Sequence, residues 1–312
     1  MTYARQYATH LQPLADRHLK EITRQELRDF LTFKLTHGGL RQPGRPMEVN
    51  SVKGFLVPLR KCLQAALDDG LILTNPSSRI RIARRKDRTS ADALERYTRD
   101  ELAEILRMAQ EQMPTWFPVF LTAARTGLRV GEICGLQLAD LNFGSRYIHV
   151  RRAVSRRILG TPKNGKYRRV DMSGQLAAVL QDYIWSREIA DTVAGKEPTP
   201  WVFGSLETRR YMNDEFLAKE LWPRLLRLAK ARPLRFHALR HTFASLLIEQ
   251  GESLAYVKDQ LGHSSIQITV DIYGHLIPGA NRGAVDRLDD PAGAIENATG
   301  RNPGATPALT RS

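Results

Sequence analysis

Residues 235–250, RFHALRHTFASLLIEQ, decide how the rest of the sequence is interpreted. They place His237, Arg240 and His241 within about one helical turn of an otherwise apolar, amphipathic segment. A helix that only packs into a core has little use for such a cluster, because charged groups are rarely buried without a partner. The segment therefore predicts a helix that directs cationic and proton-transferring side chains toward a ligand.

The composition predicts a globular, two-domain protein outside the membrane class. The chain has 312 residues, of which 42% are hydrophobic. It has no apolar run long enough to cross a bilayer and no apolar signal region at its N-terminus. Its two cysteines, Cys62 and Cys134, lie in apolar helical contexts that suggest neither a disulfide framework nor a thiolate metal site. A reducing, cytoplasmic setting is the simplest expectation.

The charge distribution favours a polyanionic partner. The formal net charge is +14. Residues 1–90 carry 17 Lys and Arg against 8 Asp and Glu, whereas residues 276–312 carry 4 of each. An excess of this size at one end suits nucleic acid, although solubility alone also explains a basic protein.

The first part of the chain predicts a small helical domain. Thr23 opens a capping-box pattern, and apolar residues recur at helical spacing over residues 52–66. Pro58 lies inside that helix and should kink or break it. The turn residues at 75–78 end the block, so the predicted domain covers residues 1–78.

Residues 79–95 predict an exposed basic linker. The segment RIRIARRKDRTSADALE is basic, then polar, and shows no periodicity. It is either a simple solvated tether or a strap that lies on the phosphate backbone of DNA. The candidate DNA-binding residues in it are Arg79, Arg81, Arg84, Arg85 and Lys86.

The remainder predicts a second, mainly α-helical domain over residues 96–285. The alternating segments RYIHVRRAV (146–154) and KYRRVDM (166–172) flank a turn at TPKNG, which indicates an antiparallel β-hairpin. Residues 286–312 are rich in Gly, Pro, Ala, Thr and Asn and are expected to be a disordered tail. Helices are predicted at about 99–112, 115–125, 129–136, 174–190, 213–230, 236–250, 253–261 and 264–273.

Six polar residues stand at unusual places in these elements. Arginine donates a planar fork of N–H groups that suits phosphate oxygens. A tyrosine hydroxyl becomes a nucleophile when cations and a base assist it, and a lysine can protonate a leaving oxygen. The set contains no carboxylate pair, so it favours phosphoryl transfer without a metal. Its members are Arg129, Lys163, His237, Arg240, His263 and Tyr273.

Four sequence motifs, taken in order, resemble those of the tyrosine recombinase (phage integrase) family. They are TGLRVGE (126–132), TPKNGK (161–166), HALRHTFAS (237–245) and LGHSSIQITVDIYGH (261–275). The resemblance covers about residues 3–285. It implies a helical, SAM-like core-binding domain followed by a tyrosine recombinase catalytic domain.

The resemblance implies a role for each matching residue. Tyr273 resembles the nucleophile, which forms a 3′-phosphotyrosyl bond and frees a 5′-hydroxyl. Arg129 and Arg240 resemble the two arginines that clamp the phosphate, and His263 resembles the residue that helps to hold it.

The remaining roles implied by the resemblance concern proton transfer. Lys163 resembles the general acid for the 5′-oxygen, with Lys166 as the alternative at the same turn. His237 resembles the general base, and Glu132 matches an acidic residue that braces the site.

Two further histidines, His241 and His275, also lie in motifs that resemble the family but are interpreted as structural. They either pack or hydrogen-bond backbone and phosphate. His237 and His241 stand four residues apart, a spacing that zinc sites use, but no third ligand accompanies them.

The family reading predicts an enzyme that needs no cofactor and no metal. It predicts double-stranded DNA as the partner and a homotetramer on two DNA sites that exchanges C-terminal segments, for which residues 276–290 are the candidate. An arm-binding domain before the helical domain is not expected, unless the start of the chain is truncated. The favoured role is integration or excision of a prophage or mobile element. The alternatives are a Xer-like dimer resolvase, an inversion recombinase, or a silent DNA-binding remnant.

Overall fold

The computed structural model describes residues 7–39, 44–82, 94–162, 165, 167–204, 208 and 210–277. The chain divides into two compact units, Met1–Thr89 and Ser90–Ser312. The boundary between them falls inside the basic segment 79–95. The predicted tail, 286–312, lies outside the described residues.

The first unit is helical, with two long helices, α1 (Arg24–His37) and α2 (Val49–Asp68). Short π- and 3-10-helical turns precede them at Tyr7–Leu11, Gln12–Leu14 and Leu19–Glu21. The hydroxyl of Thr23 accepts a hydrogen bond from the backbone N–H of Glu26 (3.1 Å), so α1 begins where the capping pattern predicts.

The sequence predicts a kink or a break at Pro58; helix α2 continues through this residue, so the break does not occur. A proline inside a helix removes one backbone hydrogen bond. Burial offsets this loss, because an apolar face along the whole helix packs into the core of the unit. The buried residues of that face are Val52, Phe55, Leu56, Leu59, Leu63 and Ala66. Cys62, in contrast, is exposed.

The beginning of the predicted linker belongs to the first unit. Ile80 is buried in the apolar core of that unit, and its carbonyl accepts a hydrogen bond from the Arg60 guanidinium. Arg79 and Arg81 on either side are exposed. The candidates Arg84, Arg85 and Lys86 lie outside the described residues.

The second unit contains nine helices among its described residues, labelled α3 to α11. Thr98 caps α3 with a reciprocal capping box, in which its hydroxyl accepts from the Glu101 N–H and its own N–H donates to the Glu101 carboxylate. A π-helical turn, Leu217–Leu221, joins α7 to α8. The bounds are α3 Arg99–Gln112, α4 Phe117–Thr126, α5 Val130–Cys134, α6 Gly174–Val193, α7 Asp214–Phe216, α8 Trp222–Leu228, α9 Ala238–Glu249, α10 Leu254–Leu261 and α11 Ile266–Tyr273.

The strands form two small antiparallel sheets. The first has the order β1 (Leu141–Asn142), β2 (Tyr147–Val150), β5 (Arg168–Asp171), with Ile148 opposite Val170. The second pairs β3 (Ala153–Ser155) with β4 (Ile158–Gly160). The predicted pairing of the two alternating segments is therefore confirmed for β2 and β5. The predicted simple hairpin is wrong, because β3 and β4 intervene in the connection.

One large apolar core joins the helices and the first sheet of the second unit. Trp222, Phe120 and Phe203 are fully buried in it. A smaller apolar cluster brings α9 and α10 together around the end of α11. No helix in the described ranges combines the length and apolarity that a membrane span requires.

Candidate active site

The turn after α4 positions Arg129. Gly127 ends that helix in the left-handed conformation (φ +60°), and a Cβ atom there would lie 2.5 Å from Cδ1 of Phe243. The chain then reverses, and Arg129 becomes the N-cap residue of α5. Its side chain is 27% exposed, so the guanidinium is reachable from solvent while its stem is held.

A buried carboxylate, Glu132, holds Arg129 in place. It accepts hydrogen bonds from the backbone N–H and the guanidinium of Arg129, both at 2.9 Å. Arg168, on β5, donates to the same carboxylate in bidentate fashion at 2.9 and 2.7 Å. Burial alone would raise the pKa of Glu132, but the hydrogen bonds and charge of Arg168 and the charge of Arg129 bring it to about 2. Its predicted bracing role matches these contacts.

Arg240 lies on α9 and is only 3% exposed. Its guanidinium donates to the carbonyl of Gly127 (2.8 Å) and to the carbonyl of Leu261, which are the C-terminal ends of α4 and α10. Helix C-termini carry partial negative charge, so these contacts satisfy a cation that has no carboxylate partner among the described residues. Burial, and then the charge of Arg129, lower the pKa of Arg240 to about 9.

His263 follows a second left-handed glycine. Gly262 (φ +64°) ends α10, and a Cβ atom there would lie 2.7 Å from Cδ of Arg168. The His263 Nδ1 atom shares a 2.9 Å hydrogen bond with the hydroxyl of Thr269. Burial and the nearby arginines, Arg240 foremost, lower the pKa of His263 to about 4, so the ring is neutral at pH 7.

Tyr273 ends α11 and is 1% exposed. Its ring belongs to the apolar cluster formed by α9 and α10, and it stacks parallel to the ring of His263 with a centroid distance of 6.5 Å. Its hydroxyl is hydrogen-bonded to Nδ1 of His241 at 2.8 Å. Burial raises the pKa of Tyr273 to about 12, and the charge of Arg240 only partly opposes this effect.

His237 precedes the first residue of α9 and faces its neighbour one turn along. The rings of His237 and His241 are perpendicular, with centroids 4.9 Å apart. Burial, followed by the charges of His241 and Arg240, lowers the pKa of His237 to about 4. Both rings are therefore neutral at pH 7 and able to accept one proton each.

A cavity of about 300 Å³ opens beside these residues. Arg129, Arg168 and His263 line it, together with Pro162 and Tyr167. Pro162 and Tyr167 flank the segment that carries Lys163. Lys163 itself, and its alternative Lys166, lie outside the described residues.

The structure therefore brings five of the six predicted residues close together. Two of the five, Arg129 and His263, line the cavity. Two residues of the site, Arg168 and His241, are assigned no catalytic role from the sequence. Arg168 stands on the inward face of β5, two residues before the buried Val170, and a charge at that position is the signal that marks it. His241, interpreted from the sequence as structural, contacts the tyrosine hydroxyl.

The donor set of this site suits an anion better than a cation. The guanidinium groups of Arg129 and Arg168 already bond the carboxylate of Glu132, and Arg240 lies close enough to be affected by its charge. Within the described part of the chain, no three His, Cys, Asp or Glu side chains come together as metal ligands do. The arrangement can bind a phosphate through N–H donors.

A second basic surface lies in the first unit. A groove of about 650 Å³ is lined by four cationic side chains and by apolar residues between them. Long cationic side chains on an apolar groove are suited to track a polyanion's backbone. The cationic residues are Lys53, Arg60, Arg79 and Arg81.

Comparison with known proteins identifies relatives of the chain. The model of the Phage integrase family matches residues 95–278. The ICEBs1 integrase of Bacillus subtilis (strain 168) is 24% identical over 292 residues, a match that covers 87% of this chain and 72% of the relative. A XerC-like tyrosine recombinase of Caldanaerobacter subterraneus subsp. tengcongensis is 28% identical over 253 residues, covering 74% of this chain and 64% of the relative.

A solved structure shares the fold. The integrase of the Tn1549 transposon, in complex with a circular intermediate DNA, superposes with a TM-score of 0.69 at 19% sequence identity. The superposition covers 92% of this chain and 100% of that chain. At this identity the similarity establishes the fold alone.

Proposed function

Because the chain belongs to the phage integrase family and is a site-specific tyrosine recombinase, we propose that it cuts and rejoins DNA through Tyr273. One observation carries this proposal. Arg240 and His263, from separate elements, lie beside the tyrosine that ends α11, and Arg129 lies near both of them.

The arginines would hold the scissile phosphate. Arg240 donates two of its five N–H groups to carbonyls at helix ends, and the side chain of Arg129 remains partly exposed. Both arginines therefore keep N–H donors for phosphate oxygens. Their positive charge would stabilise the negative charge that develops on the phosphoryl oxygens during attack. Tyr273 would attack phosphorus, form a 3′-phosphotyrosyl bond and release a 5′-hydroxyl.

Two residues would complete the chemistry. Lys163, whose neighbours Pro162 and Tyr167 line the cavity, would protonate the leaving 5′-oxygen. The family resemblance gives His237, at the start of α9 beside Arg240, the role of general base. A bound 5′-hydroxyl from another strand would reverse the attack, so the phosphotyrosyl bond conserves the energy of ligation and no cofactor is required.

The first unit and the basic segment after it would bind the DNA backbone. The groove that contains Arg79 and Arg81 supports this proposal, and the segment continues with Arg84, Arg85 and Lys86. Phosphate contacts position a protein on duplex DNA and make its affinity depend on salt. Replacing Arg79 and Arg81 together should reduce the slope of log affinity against log salt by roughly two.

The biological role we propose is integration or excision of a mobile element. The ICEBs1 integrase among the relatives supports it. Four copies would assemble on two DNA sites in the cytoplasm and exchange C-terminal segments, with residues 276–290 as the exchanged part. The XerC-like relative keeps a dimer resolvase as the second candidate. Recombination assays on the two ends of the mobile element and on a chromosomal dimer site would separate the two roles.

A trapping experiment tests the catalytic proposal. The protein is incubated in EDTA with nicked duplexes that tile the DNA flanking its gene, so that cleavage releases the strand that would religate. The native chain should form a covalent protein–DNA band, and Tyr273→Phe should form none. Tyr256→Phe is the matched control, because it removes a tyrosine hydroxyl of α10 that donates a hydrogen bond to Asp171 of β5. A band with Tyr273→Phe would overturn the assignment of the nucleophile, and DNA shifted by a chain that never forms a band would favour a silent binder.

A further inference from the structure

The hydroxyl of Tyr273 has a specific hydrogen-bond partner within the protein. The hydroxyl oxygen lies 2.8 Å from Nδ1 of His241, inside an apolar cluster that leaves the tyrosine 1% exposed. A hydrogen bond of this length is well formed. The partner is on α9, one turn after His237, so its position depends on a helix that is itself anchored in the core.

The other two histidines of the site are not placed to receive the tyrosine proton. The ring of His263 lies parallel to the Tyr273 ring with a centroid distance of 6.5 Å, and its Nδ1 is already bonded to the hydroxyl of Thr269. His237 packs edge-on against His241, with ring centroids 4.9 Å apart, rather than against the tyrosine. Among the described residues, His241 is the group whose ring nitrogen meets the hydroxyl.

The surroundings of His241 keep its ring neutral. Arg240 and His237 face it from its own helix, Tyr273 and His263 from the α11 side, and Glu95 from the segment before α3. Burial, and then the charge of Arg240, lower the pKa of His241, an effect that Glu95 only partly opposes. A neutral imidazole has one acceptor nitrogen, and with the proton on Nε2 that acceptor is Nδ1. The Tyr273 hydroxyl then donates to it.

The geometry points to His241 as the catalytic residue that takes the proton of Tyr273 during strand cleavage. The O–H bond of Tyr273 breaks and an N–H bond forms at Nδ1 of His241, as the phenolic oxygen forms its bond to phosphorus. The bond from phosphorus to the 5′-oxygen breaks, and that oxygen takes a proton from the acid proposed at Lys163. This inference rests on the proposed function and moves the role of proton acceptor from His237 to His241.

Substrate binding would favour proton transfer from Tyr273 to His241. Burial raises the pKa of Tyr273, and burial together with the charge of Arg240 lowers the pKa of His241, so both shifts oppose proton transfer from the tyrosine to the histidine. A phosphodiester bound between Arg129 and Arg240 brings a negative charge that offsets those cations, and a nearby negative charge favours the protonated imidazole. Proton transfer to His241 therefore becomes easier when the phosphate to be cut is in place.

The test compares His241→Asn with His237→Asn, the native chain and Tyr273→Phe in single-turnover formation of the covalent band. Asparagine at 241 can still accept a hydrogen bond near the position of Nδ1, but it cannot take a proton. His241→Asn should lose roughly 100-fold or more in rate, the usual size of general-base catalysis. It should also lose the fall in rate on the acid side of the pH profile, whereas His237→Asn keeps it. Melting curves and gel shifts confirm that each variant folds and binds DNA.

A modified substrate separates this step from protonation of the leaving group. A duplex with sulfur in place of the bridging 5′-oxygen has a leaving thiolate that needs no proton, because thiols are far more acidic than alcohols. It should rescue a Lys163→Ala variant but not His241→Asn. As a second probe, imidazole added to His241→Gly should restore cleavage.

Three results have separate meanings. Native chain without a band would overturn the proposed function and the inference together. A native band with His241→Asn at the native rate and with an unchanged pH profile would overturn only the inference. Rescue of His241→Asn by the sulfur substrate would also overturn it, since the lost step would then be protonation of the leaving group.

Discussion

The carboxylate of Glu132 is the junction of the arginine network, and Glu132→Gln tests how much stability depends on its charge. Glutamine keeps the shape but cannot match the bidentate donation of Arg168, whose side chain is 11% exposed, or the bond from Arg129. Breaking a buried ion pair by removing one partner typically costs about 3–5 kcal/mol. An independent figure comes from the pKa of Glu132, which is about 2 against an ordinary value of 4.5, a difference that corresponds to about 3 kcal/mol.

Thermal melting of the full chain measures this cost. For a domain of this size, 3–5 kcal/mol corresponds to a fall of roughly 6–20 °C in the melting temperature of the second unit. The matched control is Glu111→Gln, which removes an exposed ion pair with Arg107 and should leave the melting temperature unchanged within error. If Glu132→Gln melts together with Glu111→Gln, the carboxylate does not hold the arginines as the geometry implies.

The pH dependence of that effect has a definite sign. A carboxyl whose folded-state pKa is depressed contributes stability above its unfolded pKa and loses it as the pH falls through the folded value. The difference in stability between the native chain and Glu132→Gln should therefore be full above pH 4.5 and shrink between about pH 4.5 and 2. A difference that stays constant over this range would contradict the assigned pKa.

Three further outcomes are expected. Gly262→Ala and Gly195→Ala both place a side chain at positive φ, at a cost of about 1–2 kcal/mol. Only at Gly262 does the new Cβ meet Arg168, so Gly262→Ala should lower the melting temperature more than Gly195→Ala. Equal shifts would refute the predicted clash with Arg168. Thr98→Ala removes the capping box of α3 and should cost about 1 kcal/mol in denaturant unfolding; no loss would mean that the cap is dispensable. Formation of the covalent band should be equally fast in magnesium and in EDTA, since the proposed site supplies its own N–H donors; a loss in EDTA that magnesium restores would refute this.

Local signals in the sequence predict the elements that position the site. The helix predicted at about 99–112 is observed as α3, Arg99–Gln112, and the apolar spacing around HALRH marks α9, observed at Ala238–Glu249. These predictions hold because caps and periodicity act within a few residues. The β3–β4 hairpin escapes prediction, because its strands have three residues each and Ile158 is 70% exposed, so no alternation is visible.

The contacts that the sequence does not predict join distant parts of the chain. Arg168 meets Glu132 across 36 residues, and His241 meets Tyr273 across 32. The two residues of each pair lie in different helices or strands, so no local sequence pattern connects them. The family motif HALRHTFAS places His241 beside the site but assigns it no catalytic role. The role of His241 follows only from the packing of α9 against α11.

Arg240 has a consequence for how variants of this enzyme are interpreted. Its guanidinium fastens the carbonyls of Gly127 and Leu261, which lie 113 and 21 residues away in the chain. One side chain thus ties together three stretches of polypeptide and is also a proposed ligand of the phosphate. A variant at this position changes folding and chemistry at once, so a lost activity there carries no mechanistic information unless a melting curve accompanies it. His241→Asn and Tyr273→Phe retain most of the shape of the native side chains. Their effects on activity are therefore easier to assign to the reaction than those of variants at Arg240.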